Sequence, residues 1–258
     1  MYFDSHAHLC DAKFDGDREA ILAALPAAGV DRVMEVGCDL PSSEAAVRWA
    51  ETHEGVWAAV GSHPDDADRV DEARLARYRA LASSPKVRAI GEIGLDYHYE
   101  DVPREIQKLA FERQLGLARA LGLPVIVHER EAHGDAMELV RRYPDVKGVF
   151  HCYSGSAEQA KELVKLGWYI GFTGVVTFKN ARRAVETAQA IPLERILIET
   201  DCPYMAPEPY RGRRNDSRLV PLVAAKIASL RGLSPEELGR AASENACRLF
   251  GIAYGKEV

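Results

Sequence analysis

Apolar positions fall into short runs, and these alternate along the chain with longer stretches of helical spacing. Tyr2 and Phe3 open a first strand. A helix is predicted over 15–29, with Ile21, Leu22 and Leu25 on one face and Gly29 as its stop. Strand Arg32–Gly37, helix Pro41–His53 and strand Val56–Gly61 follow, with Pro41 acceptable in a first helical turn. The spacing then predicts a helix over 71–82, strand Val87–Gly94, and a long helix Arg104–Leu121 stopped by Gly122. Strand Val125–His128, a helix over 133–143, strand Gly148–His151 and helix Ala157–Leu166 come next. Strand Trp168–Thr173, a helix over 179–190 and strand Arg195–Asp201 complete the alternation. The tail reads as helix Ser217–Leu230 and a second helix whose start is a capping box: Ser234 as cap, Pro235 at the first position, Glu237 closing it.

Strands that alternate with helices predict a parallel sheet with crossover helices. The chain has 258 residues, close to the roughly 250 of an eightfold barrel. No Gly-x-Gly-x-x-Gly turn follows the first strand, which disfavours a dinucleotide-binding fold. The expected fold is therefore α/β, a (β/α)8 TIM barrel, as a single domain over 1–258.

Composition narrows the partners. A net charge of −6 argues against a broad surface for polyanions and leaves room for a local phosphate site. No run of about 18 apolar residues exists to span a membrane. Asp4, His6 and His8 sit where the apolar part of a signal peptide would have to be. The five cysteines are scattered and odd in number, as reduced thiols are. A cytoplasmic protein without membrane contact is expected.

The candidate chemistry lies at the predicted strand ends. His6 and His8 are two apart, so a strand turns both imidazoles to one face, which suits a borderline divalent metal. Glu92 lies near the end of the fourth strand, His128 ends the fifth, His151 the sixth and Asp201 the eighth. In a barrel the C-terminal strand ends form the active face. Each residue alone has a plainer role, such as a hydrogen-bonded core histidine or a loop cap; joint placement at five strand ends points to metal. Glu199 shares the strand parity of Asp201 and is either a support for the ligands from below or a buried core carboxylate. His63 ends the third strand and should line the mouth.

Several stretches resemble the TatD family of metal-dependent deoxyribonucleases, within the amidohydrolase-like barrel superfamily. They are Asp4-Ser5-His6-Ala7-His8-Leu9, Gly91-Glu92-Ile93-Gly94-Leu95-Asp96-Tyr97, His128-Glu129-Arg130-Glu131-Ala132, His151-Cys152-Tyr153-Ser154-Gly155, Glu199-Thr200-Asp201-Cys202-Pro203-Tyr204 and the run Pro207 to Asn215. The chain departs from the family at His63-Pro64-Asp65, where a second histidine is usual, and at Asp216-Ser217, where an acidic residue and a proline are usual. The resemblance implies a metal-dependent hydrolase with two divalent cations, zinc, magnesium or manganese. His6, His8 and Asp201 would hold one, His128 and His151 the other, with Glu92 bridging. Asp201 would take the proton of the attacking water, and Asp201 and Glu92 form the catalytic pair.

Substrate contacts are expected from His63, from Arg130 in the loop over the site, and from Arg211, Arg213 and Arg214 in the loop after the eighth strand. A solvated arginine cluster is the plainer reading of the last three. Tyr97, Tyr99 and Tyr153 either stack on bases or pack loops. Alternation turns Cys152 and Cys202 toward the helices as small filler, and His53, His98 and His133 carry no assigned role.

The expected activity is hydrolysis of phosphodiesters in DNA, with 3′-5′ exonuclease polarity implied by the resemblance alone. The expected partner is DNA, single-stranded or at 3′ ends, acted on by a monomer. Two alternatives remain: a metal amidohydrolase or esterase acting on a small amide, ester or aminoacyl-tRNA, and a non-catalytic metal-binding scaffold. Two-metal amidohydrolases often use a carboxylated lysine as bridge, and the fourth strand offers Glu92 and no lysine there.

Overall fold

The computed structural model describes residues 1–99 and 101–254. Its strands are β1 Tyr2–Ala7, β2 Val30–Val36, β3 Val56–Val60, β4 Val87–Asp96, β5 Val125–Arg130, β6 Gly148–Phe150, β7 Tyr169–Phe172 and β8 Ile196–Ile198. Its helices are α1 Arg18–Ala24, α2 Leu40–Thr52, α3 Glu72–Leu81, α4 Arg104–Leu121, α5 His133–Arg142, α6 Ala157–Lys165, α7 Arg182–Ala190, α8 Val220–Arg231 and α9 Pro235–Phe250. The strands form one sheet in sequence order, β1 to β8. Beyond β8 the chain bridges back to β1: Ala7 pairs in parallel with Cys202, and the His8 N–H donates to the Cys202 carbonyl at 2.9 Å. Parallel strands in this order, with helices between them, make the (β/α)8 TIM barrel expected from the sequence. Among the described residues no helix is long and apolar enough to cross a membrane.

Contacts cluster into two compact units, Met1–Met34 with Cys152–Val258, and Glu35–His151. In the first, β1 packs on α9. The Phe3 and Phe250 rings lie 6.1 Å apart, and the Phe3 N–H donates to Ser243 Oγ at 3.0 Å. The α9 start is the capping box predicted from Ser234 and Glu237. In the second unit, amides of α4 clamp the strand ends. Gln114 accepts from the Ser62 N–H at 2.8 Å and donates to its carbonyl at 3.0 Å. Gln107 does the same for Asp96, at 2.8 and 2.9 Å. Buried amides with both ends satisfied fix these termini against helix α4.

The register of β4 on β5 sets Gly94 opposite His128. Gly94 has φ 146, and a Cβ there would run into the His128 carbonyl, so only glycine allows this approach. The pairing continues through Leu95–Glu129 to Asp96–Arg130. Both strands are therefore longer than the sequence suggests, and Arg130 ends β5 instead of lying in a loop.

Other boundaries shift for local reasons. The helix predicted over 15–29 is α1 followed by a separate 3-10 turn, Pro26–Ala28. Pro26 has no N–H and its ring crowds the preceding turn, which ends α1. The helix predicted over 179–190 starts only at Arg182, after a 3-10 turn Gly174–Thr177. The helix predicted from Ser217 opens as a 3-10 turn, and α8 proper starts at Val220 with Pro221 in its first turn. Strand β8 stops at Ile198, so Glu199 and Asp201 lie beyond it and strand alternation does not govern where they face.

Candidate functional site

In the first unit, β1 delivers His6 and His8 as its two-residue spacing predicts. Their Nε2 atoms are 3.0 Å apart and the rings meet edge to face at 77°. Asp201 Oδ1 lies 3.8 Å from His6 Nε2 and 3.4 Å from His8 Nε2. The Asp201 N–H donates to the His6 carbonyl at 2.9 Å, and its φ of 54 is left-handed. Aspartate tolerates that region better than most residues, and the turn replaces the strand end expected from the sequence. Two imidazole nitrogens on one tetrahedral ion would sit about 3.4 Å apart, close to the spacing here, and the nitrogen–nitrogen–oxygen donor set suits a borderline divalent cation.

Buried carboxylates hold this set from beneath. Asp4 accepts from the Thr200 N–H at 2.8 Å, the Thr200 hydroxyl at 2.6 Å and the His6 N–H at 3.4 Å. Burial pushes the Asp4 carboxyl up to about 6, against hydrogen bonds from Ser217, Thr200 and His6 that act the other way. Glu199 is fully buried. It accepts from Ser5 Oγ at 3.1 Å and from the Cys152 N–H at 2.6 Å, so it ties the β1 end to the turn at Cys152.

In the second unit, Glu92 is the hub. Its Oε1 lies 2.7 Å from His151 Nε2, 2.8 Å from His128 Nδ1 and 3.8 Å from His63 Nε2. The Cys38 thiol sulfur is 4.0 Å from Oε2. His128 is held on its other side by Asp96, with Nε2 3.1 Å from Oδ2. Burial alone would lower the His128 imidazole; hydrogen bonds to Asp96 and Glu92, and the charges of both, outweigh it and push it up to about 10. Burial works to raise Asp96, and the His128 hydrogen bond with the His98 N–H leaves its carboxyl below the usual range. An imidazole fixed by a carboxylate on the far nitrogen is the arrangement that orients a metal-binding histidine. His63, Glu92 and His128 each offer a donor atom close enough to share one ion.

Residues 3–251 match the family model described as TatD related DNase. The chain belongs to the TatD-related DNase family. It is 42% identical to the uncharacterized metal-dependent hydrolase YabD of Bacillus subtilis, over 98% of this chain and 100% of that one. It is 38% identical to the 3′-5′ ssDNA/RNA exonuclease TatD of Cronobacter sakazakii, over 96% of this chain and 97% of that one. The crystal structure of YJJV, a TatD homologue from Escherichia coli K12, superposes with a TM-score of 0.92 at 31% identity, covering 98% of each chain. A TatD-family chain is a metal-dependent hydrolase, and both candidate ligand sets have donors of the right kind for that dependence.

The other candidate residues of this TatD-family chain separate. His63 stacks edge-on to His128 with ring centres 4.3 Å apart, so it joins the Glu92 cluster. The departure at Asp65 supplies a carboxylate 3.3 Å from His63 Nδ1, and that contact holds Asp65 below the usual range. Arg130 lies 5.2 Å over the ring of Tyr99, which is exposed. Arg214 pairs with Asp17, donates to the Lys13 carbonyl at 2.6 Å and covers Phe14. Arg211 and Arg213 lie over Phe178 and Tyr210. Tyr97 and Tyr153 are held in loop contacts, Tyr97 donating to Asp135 at 2.6 Å and Tyr153 to the Ser156 carbonyl at 3.0 Å. His98 contacts Glu131 at 2.9 Å. Cys152 has φ 43, so like Asp201 it sits in a turn; its sulfur is 3.3 Å from Thr173 Oγ1.

The sequence alone assigns no role to Asp96 or Asn215. Asp96 had a usable signal, because it shares strand parity with Glu92 four residues earlier. Asn215 had none. Its side-chain amide donates to the Thr200 and Tyr204 carbonyls at 2.9 and 2.7 Å, contacts that exist only once the loop has folded.

Proposed function

We propose that the protein hydrolyses phosphodiester bonds in DNA as a 3′-5′ exodeoxyribonuclease, acting on single strands and 3′ ends. On this reading it works as a monomer, with both units forming one hydrolase domain. Its five cysteines, none in a disulfide, fit a cytoplasmic setting. The observation that carries the reading is the pair of donor sets, each joining imidazoles to a carboxylate.

His6, His8 and Asp201 would hold one divalent cation, and His128 and His151 with Glu92 a second; the family resemblance gives Glu92 a part in both. Zinc, magnesium and manganese are the cations in view. Such ions supply Lewis acidity at the scissile phosphate and offset its negative charge.

The rest is done by side chains. Asp201, with 13% of its side chain exposed, is open enough to orient the attacking water and accept its proton. Asp96 and Glu92 between them hold the His128 ring in one orientation. Glu199 and Asp4 keep the backbone beneath His6 and Asp201 in place. His63 and Arg130 contact the phosphate being cleaved, and Arg211 and Arg213 the phosphates farther along the strand. Arg214 acts through Asp17 to hold that loop. The name of the Cronobacter relative supports the choice of polynucleotide over amide.

The test is cleavage of single-stranded DNA labelled at its 5′ end, with each metal in turn. The reading expects a ladder that shortens stepwise from the 3′ end and vanishes with chelator. Turnover of amides or aminoacyl esters with DNA left intact overturns it.

A further inference from the structure

The loop between β8 and α8 turns large side chains into solvent from a backbone that is firmly held. Tyr204, Met205 and Tyr210 are 48%, 42% and 39% exposed. Beneath them the Asn215 N–H donates to the Pro203 carbonyl at 3.1 Å, and the Asn215 side chain bridges Thr200 and Tyr204. The Glu208 N–H donates to Thr177 Oγ1 at 2.8 Å, and a Cβ on Gly174 would clash with the Met205 carbonyl. The start of the loop is tied to the candidate site, the Tyr204 N–H donating to the Asp201 carbonyl at 2.9 Å.

Cations accompany the rings. Lys13 Nζ lies 4.3 Å from the Tyr204 ring centre, and the Arg213 guanidinium 5.9 Å from that of Tyr210. Arg214 is neutralised by Asp17, whereas Lys13, Arg211 and Arg213 stand in no ion pair among the described residues. This is a local surplus of positive charge in a chain whose net charge is −6.

We infer that this loop is a stacking platform for the unpaired nucleotides of a single polynucleotide strand whose end lies at Asp201. The inference rests on the phosphodiesterase reading and adds the residues that select the strand. Tyr204 and Tyr210 offer ring faces to bases, and Arg211, Arg213 and Lys13 meet the backbone phosphates. A duplex keeps its base faces stacked on one another and gains only the phosphate contacts. Because the loop is held before binding, little ordering cost opposes the contact.

The experiment is fluorescence anisotropy of fluorescein-labelled oligothymidylates of increasing length, on the full chain in chelator so that no strand is consumed. Affinity rises with length until the platform is covered, and a hairpin duplex of equal length binds more weakly. Tyr204→Ala and Tyr210→Ala each weaken the long oligomer about tenfold and flatten the length dependence, while Tyr210→Trp keeps it. Arg213→Gln lowers the salt dependence of binding. Circular dichroism separates a lost platform from a lost fold, and the Trp variant and salt slope decide the matter if an alanine variant is unstable. Binding that ignores length, tyrosine variants that bind like the parent, or equal affinity for duplex overturns the platform and leaves phosphodiester cleavage standing. Length-dependent binding lost in the variants of a protein that cleaves no phosphodiester keeps the platform and removes the hydrolase reading.

Discussion

The donor set around Asp201 and the donor set around Glu92 use the same residue types and are built differently. The first takes two histidines from one strand and an aspartate from a left-handed turn, and the Asp201 side chain keeps 13% of its surface in solvent. The second draws Glu92 and His128 from within β4 and β5, whose register shifts between Ile90 and Ile93, and His151 from just past β6, and the Glu92 side chain keeps only 5%. The first carries one carboxylate among its donors. The second carries Glu92 and has Asp96 against His128, enough negative charge to push that imidazole up to about 10. The more open set leaves room for water to reach Asp201, whereas the closed set shields Glu92 from solvent.

The sharpest way to break this contrast is to neutralise each carboxylate in turn. Asp201→Asn should lower the rate of oligonucleotide cleavage by about a thousandfold, because it removes the proton acceptor and a ligand of the His6 ion together. A loss of only a few fold would mean that the open set is not where the water is activated. Next in size is Asp96→Asn. With the far nitrogen of His128 no longer fixed by a charged partner, metal affinity of the Glu92 set should fall about ten- to a hundredfold, read by competition with a chromophoric chelator. An affinity change confined to the His6 set would contradict the assignment of Asp96.

The smallest effect separates loop support from chemistry. The Arg214 guanidinium beside Asp17 holds that carboxyl below its ordinary 3.8. A carboxyl lowered on folding adds stability above its unfolded value and loses it as pH falls through the folded one. Asp17→Asn should therefore lower Tm slightly at neutral pH, and the difference from the parent should close below about pH 3.8. A difference that persists in acid would show that the pair is not its source.

Much of this was legible in the chain. Strand alternation sufficed for His6 and His8, because both lie at the end of a regular strand. Apolar blocks and capping residues located α4 and α9 because those signals are local. What escaped depended on folding. Arg130 fell inside β5 because β4 and β5 pair two residues farther than their apolar content suggests. Asp201 and Cys152 lie in turns with positive φ, where parity has no meaning. The pairing of Arg214 with Asp17, distant in sequence, exists only once the chain has folded.

The count of tightly bound divalent ions per chain, by mass spectrometry of dialysed protein, tests the account most directly. Two ions in the parent and one in Asp201→Asn, the survivor being the Glu92 ion, is the predicted result. A parent that holds no ion, or an Asp201→Asn chain that keeps both, would contradict it.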